Sequence, residues 1–143
     1  MSGPYADSVT AIRALWTANW SPSVSGVVVR WQENANDQIP TADNWLHIQI
    51  EHGGEDLIAF GGGRAQNEIE LQGRIIVAVM SKRGRGEADG LTLLDEALEV
   101  FRSQRTGALS FIGTHVNPEP GPSADGMWFV RMGLSAFTYR FQG

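Results

Sequence analysis

Hydrophobic residues recur along the chain with two different periods, and the first period is that of a helix. Apolar residues three or four apart form one stripe on a helix surface, and residues 5–20 carry such a stripe. Its members are Val9, Ile12 and Leu15 or Trp16. Asp7 or Ser8 is expected to cap this helix, because both residue types accept hydrogen bonds from free backbone N–H groups. Pro22 is expected to end it, since proline disfavours helical geometry in the residue before it.

The next part of the chain predicts two strands with a long polar loop between them. Residues 27–31 are rich in β-branched side chains, which favour strands. Residues 32–44 are polar and contain a proline, so they are predicted to form a loop, and loops of this length are often functional. From residue 45 the period becomes two. Leu46, Ile48 and Ile50 alternate with polar residues, which predicts a half-buried strand.

Two further strand signals follow before the middle of the chain. A turn at residues 52–56 and a short strand at 57–60 would complete a hairpin. The strongest strand signal lies at residues 69–80. Its first half alternates between apolar and polar side chains, while residues 75–80 are apolar at every position. Either a helix packed on the sheet or a neighbouring subunit could cover the second apolar face, and the sequence leaves both alternatives open.

A second amphipathic helix is predicted over residues 87–104. Its apolar stripe consists of Leu91, Leu94, Leu98 and Phe101, which lie one turn apart on one face. Gly107 is expected to end this helix, because glycine readily takes the left-handed conformation that follows many helix ends.

The last third of the chain predicts strands. Residues 108–116 and 127–141 form two of them, joined by a proline-rich loop at 117–126. Apolar positions in the last strand change faces around Gly133, which predicts a β-bulge there. The whole order is therefore helix, strands, helix, strands. It predicts a single α+β domain over residues 1–143, with a mostly antiparallel β-sheet and two main helices packed on one face.

Composition and charge exclude several classes of function. The 143 residues include no cysteine, which excludes disulfides and thiolate metal sites. No apolar run is long enough to span a membrane, and no signal peptide is expected. The net charge of −5 argues against general nucleic-acid or membrane-surface binding. The one dense basic spot, formed by Lys82, Arg83 and Arg85, is either a solvated turn or a contact with an acidic partner.

Candidate catalytic and metal-binding groups are sparse. His47, His52 and His115 are the only histidines, and their spacing matches no common metal site. No serine lies in the nucleophile elbow of hydrolases. Glu68 and Glu70 lie two apart on a predicted strand, where the paired carboxylates of a glycoside hydrolase are conceivable. We otherwise expect neither enzymatic activity nor a cofactor.

A run of glycines and an arginine separates two of the predicted strands. It consists of Gly61, Gly62, Gly63 and Arg64. A phosphate-binding loop is not expected here, because no Gly-Lys-Ser/Thr follows and the next element is a strand. The predicted role is backbone freedom in a loop that must either take positive φ or lie close to another chain.

The order of these segments resembles the tail terminator family of long-tailed phages and gene transfer agents. The resemblance covers about residues 8–141 and is carried by several stretches in fixed order. They are residues 45–48 with the glycine run, residues 72–77 with the basic turn, the helix ending at Phe101-Arg102, residues 118–122, and residues 125–130 with the final strand.

This resemblance implies a structural virion protein without enzymatic activity. Tail terminators form a ring, usually hexameric, on the head-proximal end of the tail tube. The ring stops tube polymerisation and provides the surface that joins the capsid. The implied partners are other copies of the chain, the major tail tube protein and a head–tail connector or stopper protein, with DNA only passing through the channel. The implied location is the virion tail, after assembly in the host cytoplasm.

Three groups of residues are candidate assembly contacts. They are Gly61, Gly62, Gly63 and Arg64; Lys82, Arg83 and Arg85; and Ile76, Ala78 and Met80. The loops at 32–44, 61–68 and 117–126 are expected to become ordered on assembly. Two alternatives to a tail terminator stay open: a head–tail connector or stopper of similar size, and a small hydrolase acting through Glu68 and Glu70.

Overall fold

A computed structural model describes residues 3–32, 40–59, 61, 66–116 and 120–143. The helices are α1 (Pro4–Asn19) and α2 (Glu87–Phe101). The strands are β1 (Val28–Trp31), β2 (Asn44–Ala59), β3 (Glu68–Lys82), β4 (Arg105–Thr106), β5 (Leu109–Val116), β6 (Gly121–Pro122) and β7 (Trp128–Gln142). The predicted α+β class is confirmed.

The seven strands form one sheet in the order β1-β2-β3-β7-β5-β4, and β6 pairs with β7. β1 runs parallel to β2, whereas every other pair is antiparallel. The three longest strands, β2, β3 and β7, lie side by side at the centre. The sheet is therefore mixed and mostly antiparallel, as predicted.

The core lies between the two helices and one face of this sheet. Side chains at alternate positions of β3, namely Ile75, Val77 and Val79, are fully buried. They belong to one cluster with α1 and α2 residues, which include Ile12, Trp16, Leu94, Leu98 and Phe101. Since both helices contribute to the same cluster, both cover the same face of the sheet, which confirms the predicted arrangement.

The first helix begins near its predicted start, but neither predicted cap is right. Gly3 is the N-cap and makes no side-chain capping bond. Pro4 follows as the first helical residue, where its missing N–H group costs no hydrogen bond. Ser8 lies within the helix, and its buried hydroxyl donates to the Tyr5 carbonyl oxygen at 2.7 Å. The backbone therefore enters α1 earlier than Asp7 or Ser8.

The second helix is rotated relative to the predicted stripe. Leu91 is 54% exposed, so its predicted place in the core is wrong. The buried face instead includes Gly90, and a Cβ there would lie 2.7 Å from Ser81 Oγ and 2.5 Å from Arg131 Nη1. Glycine thus lets this face of α2 approach the sheet, which turns Leu91 towards solvent.

Gly107 does not end α2. The helix stops at Phe101, and Ser103 takes the positive φ of 57° just after it. Gly107, with φ of 58°, lies instead in the turn between β4 and β5. The turn of the β4–β5 hairpin therefore contains the glycine that the sequence pattern assigned to the helix end.

The predicted hairpin at residues 52–60 is wrong, because β2 continues through it. The ladder between β2 and β3 shifts register between His52 and Glu55 and then resumes. Gly53 and Gly54 fit into this β-bulge, where one extra residue is accommodated without reversing the chain. The turn cluster in the sequence therefore marks an irregularity within one 16-residue strand.

The predicted bulge at Gly133 is also wrong. The ladder between β3 and β7 is unbroken there, with Val77 opposite Gly133, and the bulge lies in β5 between Phe111 and Gly113. A Cβ on Gly133 would lie 2.9 Å from Leu98 Cδ1. The glycine therefore makes room for α2, while β7 carries apolar residues on both of its faces.

The rotation of α2 predicts a contrast between two leucines on the same helix. Leu98→Ala should lower the free energy of unfolding by about 2–5 kcal/mol, because it leaves a cavity in the core. Leu91→Ala should change it by less than about 0.5 kcal/mol, as expected of an exposed site. Urea denaturation of both variants measures this contrast, and equal losses would contradict the packing of α2.

Candidate assembly interface

One face of the sheet is left uncovered by α1 and α2. Residues of β3 that alternate with its core residues point to this face, and their cross-strand partners on β7 share it. The two strands place seven half-buried or exposed apolar residues there, and six of them form three cross-strand pairs, which we call the open apolar patch. These six are Ile76, Ala78, Met80, Val130, Met132 and Leu134. The candidate contacts Ile76, Ala78 and Met80 thus lie together, on the face opposite the helices.

Charged residues follow the patch on the same face, towards the other end of β3. Arg74 pairs with Glu51 at 3.3 Å. Arg140 lies 3.5 Å from Glu68 and 3.6 Å from Glu70. One guanidinium group therefore engages both carboxylates of the conceivable hydrolase pair, as cross-strand ion pairs do in many sheets. The open face is apolar at one end and charged at the other.

Two tryptophans close the apolar end of the open face. Trp45 and Trp128 are 5% and 6% exposed, and their rings meet edge to face at 6.0 Å. The Arg30 guanidinium carbon lies 5.8 Å from the Trp45 ring centre. Edge-to-face ring pairs have a defined geometry, so the open apolar patch is bounded by a fixed aromatic pair.

The basic turn lies between β3 and α2. Gly84 takes a φ of 84° in it. Arg83 lies 3.7 Å from Glu87, and Arg85 lies 3.8 Å from Asp43. Both arginines remain largely exposed, and exposed pairs of this kind add little to stability. The turn is therefore solvated, and its ion pairs contribute little to holding it in place.

The glycine loop lies at the opposite end of β3 from the basic turn. Gly61 is exposed, and its N–H group donates to Asn67 Oδ1 at 3.2 Å. Gly62, Gly63 and Arg64 lie outside the described residues, as do 33–39 and 117–119 in the other two predicted loops. A strand of 15 residues separates the two candidate sites by about 50 Å at ~3.3 Å per residue. The structure therefore does not bring Gly61 and the basic turn together.

A polar contact that the sequence analysis missed joins α1 to β2. Ser8 Oγ lies 2.9 Å from His52 Nε2, and the Tyr5 hydroxyl donates to Glu55 Oε2 at 2.6 Å. Ser8 gives its own proton to the Tyr5 carbonyl oxygen, so it accepts a hydrogen bond from His52. Burial lowers the pKa of His52. These contacts hold the start of α1 against the bulge in β2.

Within the described ranges there is neither a cluster of metal-binding side chains nor a helix that could span a membrane. No group of three or more histidine, aspartate or glutamate residues is close enough there to hold a metal ion. Neither helix combines the length and the hydropathy that crossing a membrane requires.

Comparison with known proteins supports the fold and gives no information about the function. No protein-family model matches the sequence, and no curated protein matches it. Thirteen solved chains match in structure. One of them, whose name describes no function, is 20% identical, with a TM-score of 0.58 over 94% of this chain and 97% of that chain. At this identity the likeness shows the shared fold alone.

The lowered pKa of His52 predicts a loss of stability in acid. Above the unfolded pKa of about 6.5, neither state holds the extra proton. As the pH falls below that value, the unfolded state takes up the proton first, so the free energy of unfolding decreases until the folded pKa is passed. Between about pH 8 and about pH 5, the free energy of unfolding measured by urea denaturation should decrease less in His52→Gln than in the wild type. His115→Gln, at an exposed position, is the control and should behave like the wild type.

The exposure of the basic turn predicts that its charges serve assembly more than folding. Reversal of Lys82, Arg83 and Arg85 to glutamate should leave the chain folded, since the ion pairs of Arg83 and Arg85 are exposed and each contributes at most about 1 kcal/mol. The same change should weaken assembly. Circular dichroism and sedimentation measure the two effects, and unchanged assembly would identify a plain solvated turn.

Proposed function

We propose that this chain is a structural virion protein of the tail terminator type and not an enzyme. Copies of it form a ring of six on the head-proximal end of the tail tube. The ring stops polymerisation of the major tail tube protein and offers a surface to a head–tail connector or stopper protein. DNA passes through its channel without sequence-specific contact.

The open apolar patch is the observation that carries this proposal. Single-chain proteins rarely leave a contiguous apolar area on one sheet face uncovered, and such areas are typical of protein–protein contacts. Both helices of the chain are used on the other face. A neighbouring subunit is therefore proposed as the cover that the sequence pattern of residues 75–80 requires.

The positions of the other candidate contacts support the same proposal. A ring between a tube and a connector needs contacts at its two ends. The basic turn and Gly61 lie at opposite ends of β3, so one subunit could meet a different partner at each end. The segment order that resembles tail terminators spans nearly the whole chain and agrees with this role.

Electron microscopy of the purified chain, alone and mixed with its tail tube protein, tests the proposal. Ring particles are expected in at least one condition. Six copies would have a mass of about 94 kDa, from 15.6 kDa per chain, which sedimentation can measure. Absence of rings in both conditions would contradict the proposal.

Deletion of the gene separates a terminator from a connector or stopper. Loss of a terminator should give tails of abnormal length that do not join heads. Loss of a stopper should give free tails of normal length and heads that lose DNA. Electron microscopy of the lysate distinguishes the two outcomes.

The open apolar patch predicts the effect of one added charge. Met132→Glu should reduce ring formation, because a buried unpaired carboxylate is costly at an interface, while the monomer should stay folded since Met132 is 38% exposed. Gln142→Glu adds the same charge to the polar end of the same strand and face, and should leave assembly intact. Rings that form equally well from both variants would exclude the patch from the interface.

A further inference from the structure

Both edges of the sheet are only partly paired. β1 covers β2 from Trp45 to Ile48, and β4 covers β5 at Leu109 and Ser110. Among the described residues, no strand pairs with the outer side of β2 at 49–59 or of β5 at 112–116, while the N–H group of Phe111 donates to the Gln104 carbonyl oxygen at 3.0 Å. An open edge presents free backbone N–H and C=O groups, which another strand can bind.

Exposed apolar side chains lie along both open edges. Leu57 and Ile58 on β2 are 47% and 41% exposed, and Ile112 and Val116 on β5 are 67% and 49% exposed. A cleft of about 300 Å³ runs beside the β5 edge and is lined by residues that include Arg102, Ile112 and Thr114. Each edge therefore offers side-chain contacts in addition to its backbone groups.

The charges on the two edges are opposite. Glu55 and Asp56 are exposed on the β2 edge, and Arg105 is exposed on β4 beside the β5 edge. The strand registers place these charged groups at nearly the same position along the strand direction. Successive cross-strand partners form one row across the sheet: Glu55, Leu71, Tyr139, Leu109 and Thr106. Arg105 is the next residue, so it lies within about 7 Å of the level of the two acids along the strand direction.

The strand directions also match. Three antiparallel steps lead from β2 through β3 and β7 to β5, so β2 and β5 run in opposite directions. A second copy rotated about an axis along the strands keeps its strand directions. Its β2 edge would then lie antiparallel to β5 of the first copy, which is the pairing that gives straight hydrogen bonds.

We propose that subunits join edge to edge, with β2 residues 49–52 of one copy pairing antiparallel with β5 residues 112–115 of the next, which the registers place at the same level. Asp56 of one copy then lies near Arg105 of its neighbour, because the strand registers place both side chains on the open face of the sheet. The contact uses two different surfaces, so repeating it generates a ring or a helix and not a symmetric pair. This inference rests on the proposed function, which supplies the ring, and it adds the surfaces that close it.

Charge reversal on either edge tests the pairing. One variant carries Arg105→Glu, and the other carries Asp56→Lys. Each should raise the concentration at which rings form by about tenfold or more, because like charges then meet across the contact. Asp95→Lys on the exposed side of α2 is the charge control and should assemble like the wild type. Circular dichroism checks that every variant is folded.

A mixture of the two edge variants provides the decisive measurement. In alternating order, the reversed edge of each variant meets an oppositely charged edge of the other. We therefore expect an equimolar mixture to form rings at the wild-type concentration, as seen by electron microscopy and sedimentation, although neither variant does so alone.

The possible failures are distinguishable. A wild-type chain that forms no ring, alone or with its tube protein, overturns the proposed function and this inference with it. Wild-type rings that both edge variants form equally well overturn the edge pairing alone. If the variants lose the ring and mixing does not restore it, the edge pairing is also overturned, because the charges then contact some other partner.

Discussion

The packing of both helices on one face of the sheet determines which surfaces the chain leaves exposed. Ile75, Val77 and Val79 of β3 are fully buried beneath α1 and α2. The alternate residues of the same strand must then point away from both helices. The chain has apolar residues at those positions as well, so the arrangement that forms the core also creates the open apolar patch.

The periodicity of the sequence was sufficient for the fold class, because each long element buries one face. Its errors lie where backbone contact, and not side-chain pattern, decides the geometry. Gly90 lets α2 approach the sheet and so rotates Leu91 outwards, and Gly133 makes room for Leu98 without a bulge. Gly53 and Gly54 sit in a bulge and not in a turn. A glycine in the sequence does not reveal which of these tasks it performs.

The candidate site could be predicted from the sequence only in part. A strand that is apolar at every position can be recognised without a structure, which is why Ile76, Ala78 and Met80 were identified. Which neighbour covers a strand depends on strand order, and the open edges of β2 and β5 follow from that order. The shared level of Glu55 and Arg105 depends on four successive registers, none of which a single sequence specifies. The contact of Ser8 with His52 joins residues 44 positions apart and is hidden for the same reason.

Open sheet edges invite uncontrolled association, so a protein that keeps them must also restrict what binds to them. In this chain each edge carries its own means of restriction. A bulge interrupts β2 after His52 and another interrupts β5 after Phe111, so neither edge is a flat template. Two β2 edges would bring Glu55 and Asp56 against their own copies, and that repulsion disfavours a symmetric pair. Asp56 would attract the edge that carries Arg105, so the charge that disfavours a symmetric pair favours the head-to-tail contact of the proposed ring.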